Sequence, residues 1–133
     1  MIVVVGGNRP KAGKTTVVCR IIAATPEARW TAIKLTVDQH EPTTHGDTER
    51  YLAAGAMRAI LTNEIGTIAG NIIIESNSIL RKLKPDLFVF VDDGGEPKPS
   101  AIEHASKADI IVRDLDCEDV VNRVRDMLSG RRD

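Results

Sequence analysis

Aromatic residues are scarce in this sequence and make up only 3% of its 133 residues. Hydrophobic residues as a whole make up 42%, so the core must be built mainly from valine, isoleucine, leucine and alanine. Short aliphatic runs of this kind are typical of parallel strands that are buried on both faces of a sheet. With 28% charged residues, the composition is that of a soluble globular protein.

The sequence also lacks a basic excess and long hydrophobic runs. Its formal net charge is -1 at pH 7, which gives no indication of nucleic-acid binding. The apolar runs are far shorter than the roughly 20 residues that a membrane-spanning helix needs, and the apolar start at residues 2–5 is too short for a signal peptide. Cys19 and Cys117 show no metal-binding spacing, so we expect a protein of the reducing cytoplasm.

Strand and helix patterns alternate along the chain. Apolar runs rich in β-branched residues predict six strands, at residues 2–5, 31–37, 56–61, 71–75, 87–91 and 109–112. Helical spacing and capping residues predict helices at residues 14–24, 48–54, 78–83 and 100–107, and a last one capped by Asp116. Residues 63–70 give no clear signal. The alternation predicts one α/β domain over residues 1–133, with a mostly parallel sheet and helices on both faces.

The most specific motif joins the first predicted strand to the first predicted helix. It reads Gly-Gly-Asn-Arg-Pro-Lys-Ala-Gly-Lys-Thr-Thr over residues 6–16. In a phosphate-binding loop (P-loop), backbone N–H groups hold phosphate oxygens, a lysine reaches the β and γ phosphates and a hydroxyl ligates Mg²⁺. We assign these side-chain roles to Lys14 and Thr15, and we expect a three-layer P-loop NTPase-type fold. The expected nucleotide-binding residues are Asn8, Arg9, Pro10, Lys11, Ala12, Gly13, Lys14, Thr15 and Thr16.

One position of this motif departs from the standard pattern. Asn8 stands where the first glycine belongs, and asparagine is among the few residues that tolerate a positive φ. The alternative interpretation is an ordinary glycine-rich turn before a helix. Arg9 and Lys11 either complete a phosphate site, across a dimer for example, or are solvated loop charges, and we favour the second explanation.

A Mg²⁺–nucleotide site also needs carboxylates, which in a parallel sheet lie where strands end. Asp38, Glu75 and the pair Asp92 and Asp93 follow predicted strands, and Asp47 begins a short helix close to Asp38. Glu75 is the favoured metal-associated carboxylate because its strand is the most apolar. Each acid taken alone is equally well explained as a cap or turn residue.

Two further groups of polar residues have weaker patterns. His40 and His45 share the polar loop after the second strand, but their spacing matches no tight metal site. The Asn-Lys-x-Asp signature of guanine recognition does not occur. Arg113, Asp114 and Asp116 follow the last strand and are candidates for the base side of a nucleotide by topology alone.

Together these motifs resemble the molybdopterin-guanine dinucleotide biosynthesis protein B (MobB) family of P-loop GTP-binding proteins. The resemblance lies in the Gly-Lys-Thr-Thr element at 13–16 and in Ala-Ile-Lys at 32–34, which a polar loop with histidines follows. It continues in Gly-Asp-Thr-Glu-Arg at 46–50, Ala-Gly-Ala at 54–56 and the apolar strand 71–75 that ends in glutamate.

This resemblance implies binding of GTP (or ATP) with Mg²⁺, weak GTP hydrolysis and often a homodimer. It also implies an accessory role beside the nucleotidyltransferase that attaches guanosine monophosphate to molybdopterin during molybdenum cofactor biosynthesis. Lys14 and Thr15 carry over as phosphate and metal positions, Asp47 and Glu75 carry over as catalytic and metal-associated positions, and Lys34 carries over more weakly.

Two alternatives stay open at the level of the sequence. One is an ATP-dependent small-molecule kinase or ligase, in which residues 38–47 bind an acceptor and Lys34 holds an anionic group. The other is a nucleotide-binding regulatory module without useful turnover. The choice between GTP and ATP is open as well.

Overall fold

A computed structural model describes residues 1–8, 13–35, 46–76, 78–96 and 99–130 of the chain. Strands and helices alternate along these ranges. The strands are β1 (Ile2–Gly7), β2 (Thr31–Leu35), β3 (Arg58–Thr62), β4 (Ile72–Glu75), β5 (Leu87–Asp92) and β6 (Ile110–Arg113). The α-helices are α1 (Lys14–Ala24), α2 (Gly46–Ala54), α3 (Pro99–Ser106) and α4 (Glu118–Leu128). Short 3₁₀ helices lie at Pro26–Ala28 and Ser78–Arg81.

The described strands form one parallel sheet in the order β3-β2-β4-β1-β5-β6. β1 lies between β4 and β5, and the connection that contains α1 takes the chain across β4 to β2. Because parallel strands end at the same edge of a sheet, the carboxyl ends of the neighbouring strands β2, β4 and β1 lie side by side. The architecture confirms the predicted α/β class, with a P-loop-type arrangement of sheet and helices.

Apolar side chains fill both faces of this sheet, as the aliphatic composition predicted. In β1, Val3 and Val5 belong to the larger core cluster, whereas Val4 points into the smaller one on the opposite face. Side chains of α1, α2 and α4 complete the larger cluster, and the segment around the second 3₁₀ helix contributes to the smaller one. Trp30 and Tyr51 are the largest fully buried side chains, and both lie in the larger cluster.

The predicted and observed elements differ mainly at their ends. Helix α1 has the predicted bounds, whereas the predicted helix 78–83 is a short 3₁₀ helix in the structure. Strand β3 begins two residues later than predicted, at Arg58. Helix α2 begins at Gly46, so Asp47 lies inside its first turn rather than at its cap. The end of the predicted strand 31–37 lies outside the described residues.

The last helix has the predicted apolar stripe. Val120 and Val124 are fully buried, and Val121, Met127 and Leu128 pack against the same core cluster from partly buried positions. The Asp116 carboxylate accepts a hydrogen bond from the Glu118 backbone N–H at 3.1 Å, although Cys117 holds the N-cap position. Across the described part of the chain, none of the helices combines the length and the apolar character that crossing a bilayer requires.

The interior position of β4 gives a first prediction. Ile73 in β4 is fully buried, whereas Leu61 in the edge strand β3 is 44% exposed. Ile73→Ala should lower the free energy of unfolding by about 2–5 kcal/mol, because it leaves a cavity in a packed core. Leu61→Ala is the control and should change it by less than about 0.5 kcal/mol. Urea unfolding, monitored by the fluorescence of the single tryptophan, gives the free energy of unfolding of both variants. An equal loss of stability in the two variants would contradict the burial pattern.

Candidate functional site

The predicted phosphate-binding loop ends at Gly13, which caps the N-terminus of α1. Gly13 has φ 99°, a left-handed conformation that side-chain-bearing residues rarely adopt. A Cβ atom at this position would lie 2.7 Å from Cδ2 of Leu115, in the loop after β6. Gly13 makes no side-chain cap hydrogen bond, so the N-cap residue itself leaves the first N–H groups of α1 to other partners. A helix N-terminus of this kind favours an anion.

Glu75 is the centre of the polar site at this edge of the sheet. It ends β4 and is only 3% exposed. Its Oε1 accepts a hydrogen bond from the Thr15 hydroxyl at 2.6 Å and another from the Tyr51 hydroxyl at 2.7 Å. Its Oε2 accepts a third from Nζ of Lys34 at 2.5 Å. The structure therefore brings Thr15 and Glu75 together, as the sequence-based hypothesis required.

Asp47 joins this group through the same lysine. Its Oδ2 lies 3.0 Å from Nζ of Lys34, so one ammonium bridges two carboxylates that belong to different elements. The side chains of Lys34 and Asp47 are 20% and 16% exposed, which leaves them in contact with solvent at the rim of the site. The four site positions Thr15, Lys34, Asp47 and Glu75 thus form one connected network.

The surroundings of Lys34 and Tyr51 determine their protonation. Burial by itself lowers the pKa of Lys34, but its contacts with Glu75 and Asp47 outweigh this and raise the pKa above the ordinary lysine value. Burial, followed by the negative charge of Glu75, raises the pKa of Tyr51 far above its usual range. Lys34 therefore stays a cation and Tyr51 stays a neutral hydrogen-bond donor at physiological pH.

Two residues of α2 belong to the site although the sequence motifs assign them no role. Tyr51 contacts Glu75 directly, and Arg50 donates a hydrogen bond from Nη2 to the Thr16 hydroxyl at 3.1 Å. Together with Asp47 they occupy positions i, i+3 and i+4 of one helix, so they share one face. This spacing is the signal in the sequence that identifies them.

The remaining carboxylate candidates have other partners. Nδ2 of Asn8 donates to Oδ1 of Asp93 at 2.7 Å, which ties the start of the predicted phosphate loop to the end of β5. Asp92 accepts the backbone N–H of Gly94 at 2.9 Å and faces Nε of Arg113 at 3.7 Å. Asp92 and Asp93 therefore organise the turn after β5, while Glu75 takes the position beside Thr15.

The loop after β6 lies next to Gly13 at the start of α1. Asp114 and Leu115 both have φ 55°, a left-handed conformation that is unusual for two successive residues with side chains. The Leu115 side chain packs against Gly13, and the Arg20 guanidinium donates to the Leu115 carbonyl oxygen. The base-side candidates Arg113, Asp114 and Asp116 are thereby placed close to the N-terminus of α1.

Several predicted positions lie outside the described residues, and nothing structural is stated for them. They are Arg9, Pro10, Lys11, Ala12, Asp38, His40 and His45.

The donor set at the site can be compared with what the Mg²⁺ expected from the sequence requires. Within the part of the chain that the structure describes, no three histidine, cysteine, aspartate or glutamate side chains come together as a metal cluster. The site offers the Thr15 hydroxyl and the carboxylates of Glu75 and Asp47, which already share a cationic partner. Mg²⁺ typically takes one or two carboxylates and completes its shell with phosphate oxygens and water, so these residues fit it.

Gly13 combines a left-handed backbone conformation with a close approach to Leu115, so replacing it with alanine should destabilise the protein strongly. Gly13→Ala should lower stability by more than the roughly 1–2 kcal/mol of a left-handed alanine, because its Cβ also meets Leu115. Gly46→Ala in α2 is the matched control, since a Cβ there has no atom within 4 Å. Thermal unfolding compares the two variants. A Gly13→Ala protein as stable as Gly46→Ala would contradict the described conformation of the loop.

Cys19, on α1, gives a prediction about charge. Burial raises the pKa of its thiol most, nearby Arg50 lowers it, and Glu75 and Asp47 raise it further. In a Cys117→Ser background, Glu75→Gln should therefore lower the thiol pKa and speed alkylation by iodoacetamide near pH 8, because the thiolate is the reactive form. Arg50→Gln should slow alkylation. Rate–pH profiles measure both, and shifts in the same direction would refute the assigned surroundings.

Comparison of the chain with protein-family models, with curated proteins and with solved structures found no match. The function is therefore inferred from the geometry of the site and from the sequence motifs.

Proposed function

We propose that the protein binds GTP with Mg²⁺ through a P-loop, hydrolyses it slowly and acts as an accessory protein in molybdenum cofactor biosynthesis. The observation that carries the proposal is the 2.6 Å hydrogen bond between the Thr15 hydroxyl and Glu75, directly beside the N-terminus of α1. A hydroxyl after a Gly-Lys pair and a carboxylate at the end of the neighbouring strand are the pair of groups that a Mg²⁺–triphosphate needs.

Phosphate binding is attributed to backbone and side-chain groups around the start of α1. The left-handed Gly13 turns the chain into the helix, so that the first helical N–H groups and their positive dipole end face the phosphates. Lys14, the first residue of α1, adds a positive charge for the β and γ phosphates. We include Asn8, Arg9, Pro10, Lys11, Ala12 and Thr16 in the proposed phosphate site as parts of the loop backbone, while the charged ends of Arg9 and Lys11 are assigned to solvent.

Metal binding is attributed to Thr15, Glu75 and Asp47. A bound Mg²⁺ supplies charge that stabilises the transferring γ-phosphoryl group. The hydroxyl of Thr15 would be a ligand of this metal, and the carboxylates of Glu75 and Asp47 would bind it directly or through water. Tyr51, which stays protonated, keeps the Glu75 carboxylate in a fixed orientation through its hydrogen bond.

The surroundings of Glu75 also support slow rather than fast hydrolysis. Its carboxylate already accepts hydrogen bonds from three side chains, those of Thr15, Tyr51 and Lys34. A carboxylate has about four lone-pair sites, so most of those on Glu75 are already in use and little of the group is open to an attacking water. We therefore assign Glu75 and Asp47 the positioning of metal and water, so that catalysis depends on charge stabilisation.

The accessory role and the preference for GTP are supported by residues 34–56, a block that resembles the MobB family. Residues 46–54 of this block form α2, which contributes Asp47, Arg50 and Tyr51 to the site. The block is therefore part of the proposed nucleotide site and not a distant surface feature. The proposed partner is the nucleotidyltransferase that transfers guanosine monophosphate to molybdopterin, and the proposed assembly is a homodimer in the cytoplasm.

Lys14→Ala tests the phosphate site. It should weaken binding of a fluorescent GTP analogue in the presence of Mg²⁺ by about 10- to 100-fold, because a hydrogen bond to a charged group is worth about 1.5–3 kcal/mol. The matched control is Lys82→Ala, at an exposed lysine near the opposite edge of the sheet, which should bind as the wild type does. Thermal unfolding verifies that both variants fold.

Two results would contradict the proposal. Unchanged affinity in Lys14→Ala would refute the P-loop assignment, and stronger competition by ATP than by GTP would refute the guanine preference. Rapid phosphoryl transfer to a small metabolite, in place of slow hydrolysis, would favour the kinase alternative.

A further inference from the structure

Lys34 holds the two carboxylates that the proposed function assigns to a metal. Its Nζ lies 2.5 Å from Oε2 of Glu75 and 3.0 Å from Oδ2 of Asp47. Lys34 and Glu75 are also register partners on the adjacent strands β2 and β4, so their side chains leave the sheet on the same face. The contact is therefore built into the strand pairing and is not a chance encounter of two long side chains.

We propose that Lys34 is an internal counter-ion for Glu75 and Asp47 that keeps Mg²⁺ away from these carboxylates until a nucleotide binds. The inference rests on the proposed function, because it assumes that Mg²⁺ and a nucleotide triphosphate share this edge of the sheet. It adds a rule about order: the metal enters with the nucleotide and not before it.

The exclusion follows from charge and space. An ammonium within hydrogen-bond distance of both carboxylates occupies the region in which a cation would be stabilised by both of them. Mg²⁺ binds oxygen ligands at about 2.0–2.1 Å, so it and the ammonium cannot occupy that region together. Glu75 is almost fully buried, and losing its only described cationic partner without replacement would leave a buried charge uncompensated.

A nucleotide changes this balance because it brings its own negative charge. Its phosphates offer the ammonium of Lys34 another anionic partner, and they supply the additional oxygen ligands that Mg²⁺ requires. The Lys34 side chain is 20% exposed, so it lies at the rim, where it can turn toward such a partner. Metal and nucleotide binding are thereby coupled, and by linkage each ligand strengthens the binding of the other.

Arg50 provides a matched comparison. It is a second cation of the same site, but its guanidinium contacts the Thr16 hydroxyl, and the contact with both carboxylates belongs to Lys34. Removing either side chain removes one positive charge from the neighbourhood. Only the removal of Lys34 removes the bridging ammonium.

The test is a titration of the nucleotide-free protein with Mn²⁺, in which electron paramagnetic resonance monitors the binding of the ion. Lys34→Met should bind Mn²⁺ on the order of tenfold more tightly than the wild type, the size that coupling between two sites typically reaches. The double variant Lys34→Met/Glu75→Gln should lose this gain, which locates the ion at the carboxylate. Arg50→Met should show a much smaller gain, from the general loss of positive charge.

Two outcomes would overturn the inference: Lys34→Met binding Mn²⁺ no better than the wild type, or Arg50→Met gaining as much as Lys34→Met. Both Mn²⁺ affinities are measured without a nucleotide. Failure of the proposed function is seen separately, as a wild-type protein that binds no GTP analogue with Mg²⁺.

A measurement on the wild type covers the case in which Lys34→Met does not fold. The ¹⁵N-labelled side-chain ammonium of Lys34 gives a nuclear magnetic resonance signal that reports its hydrogen bonds. Millimolar Mg²⁺ alone should leave this signal unchanged, whereas Mg²⁺ with a non-hydrolysable GTP analogue should shift it. A shift with Mg²⁺ alone, or none with both ligands, would refute the proposed order.

Discussion

The site depends on one buried carboxylate, that of Glu75. Moving an ionised carboxylate out of water is costly unless hydrogen bonds and an opposite charge replace its hydration. The protein supplies these from three elements: Thr15 from α1, Tyr51 from α2 and Lys34 from β2. The positions of all three elements around β4 are thus tied to a single charge, and the proposed function assigns the same charge to a metal that accompanies the nucleotide.

The strand order explains why these elements meet. β4 lies between β1 and β2, so the residues that end it are flanked on one side by β1, which leads to the proposed phosphate loop, and on the other by Lys34. Val5 and Lys34 are the register partners of Glu75 in the two neighbouring strands. A parallel sheet places all of these at its carboxyl edge, where ligands of open α/β sheets commonly bind.

Packing restricts Asn8 and Gly13, the two described residues that flank the middle of the proposed phosphate loop. Leu115, in the loop after β6, occupies the space that a side chain at position 13 would need, and Asn8 is tied to Asp93 after β5. Asn8 and Gly13 are therefore restricted by segments that follow β5 and β6, respectively. This arrangement lets residues that are distant in the sequence influence the conformation of the proposed phosphate site.

The sequence by itself determined the local features: the alternation of strands and helices, the bounds of α1, the glycine before Lys14 and a short set of candidate carboxylates. These follow from periodicity, β-branched runs and the special conformations of glycine, all of which act over a few residues. Only the tertiary structure decided that Glu75, and not Asp92 or Asp93, lies beside Thr15, and that Lys34 and Tyr51 share its carboxylate. Strand order and register arise from long-range packing, which a local pattern does not encode.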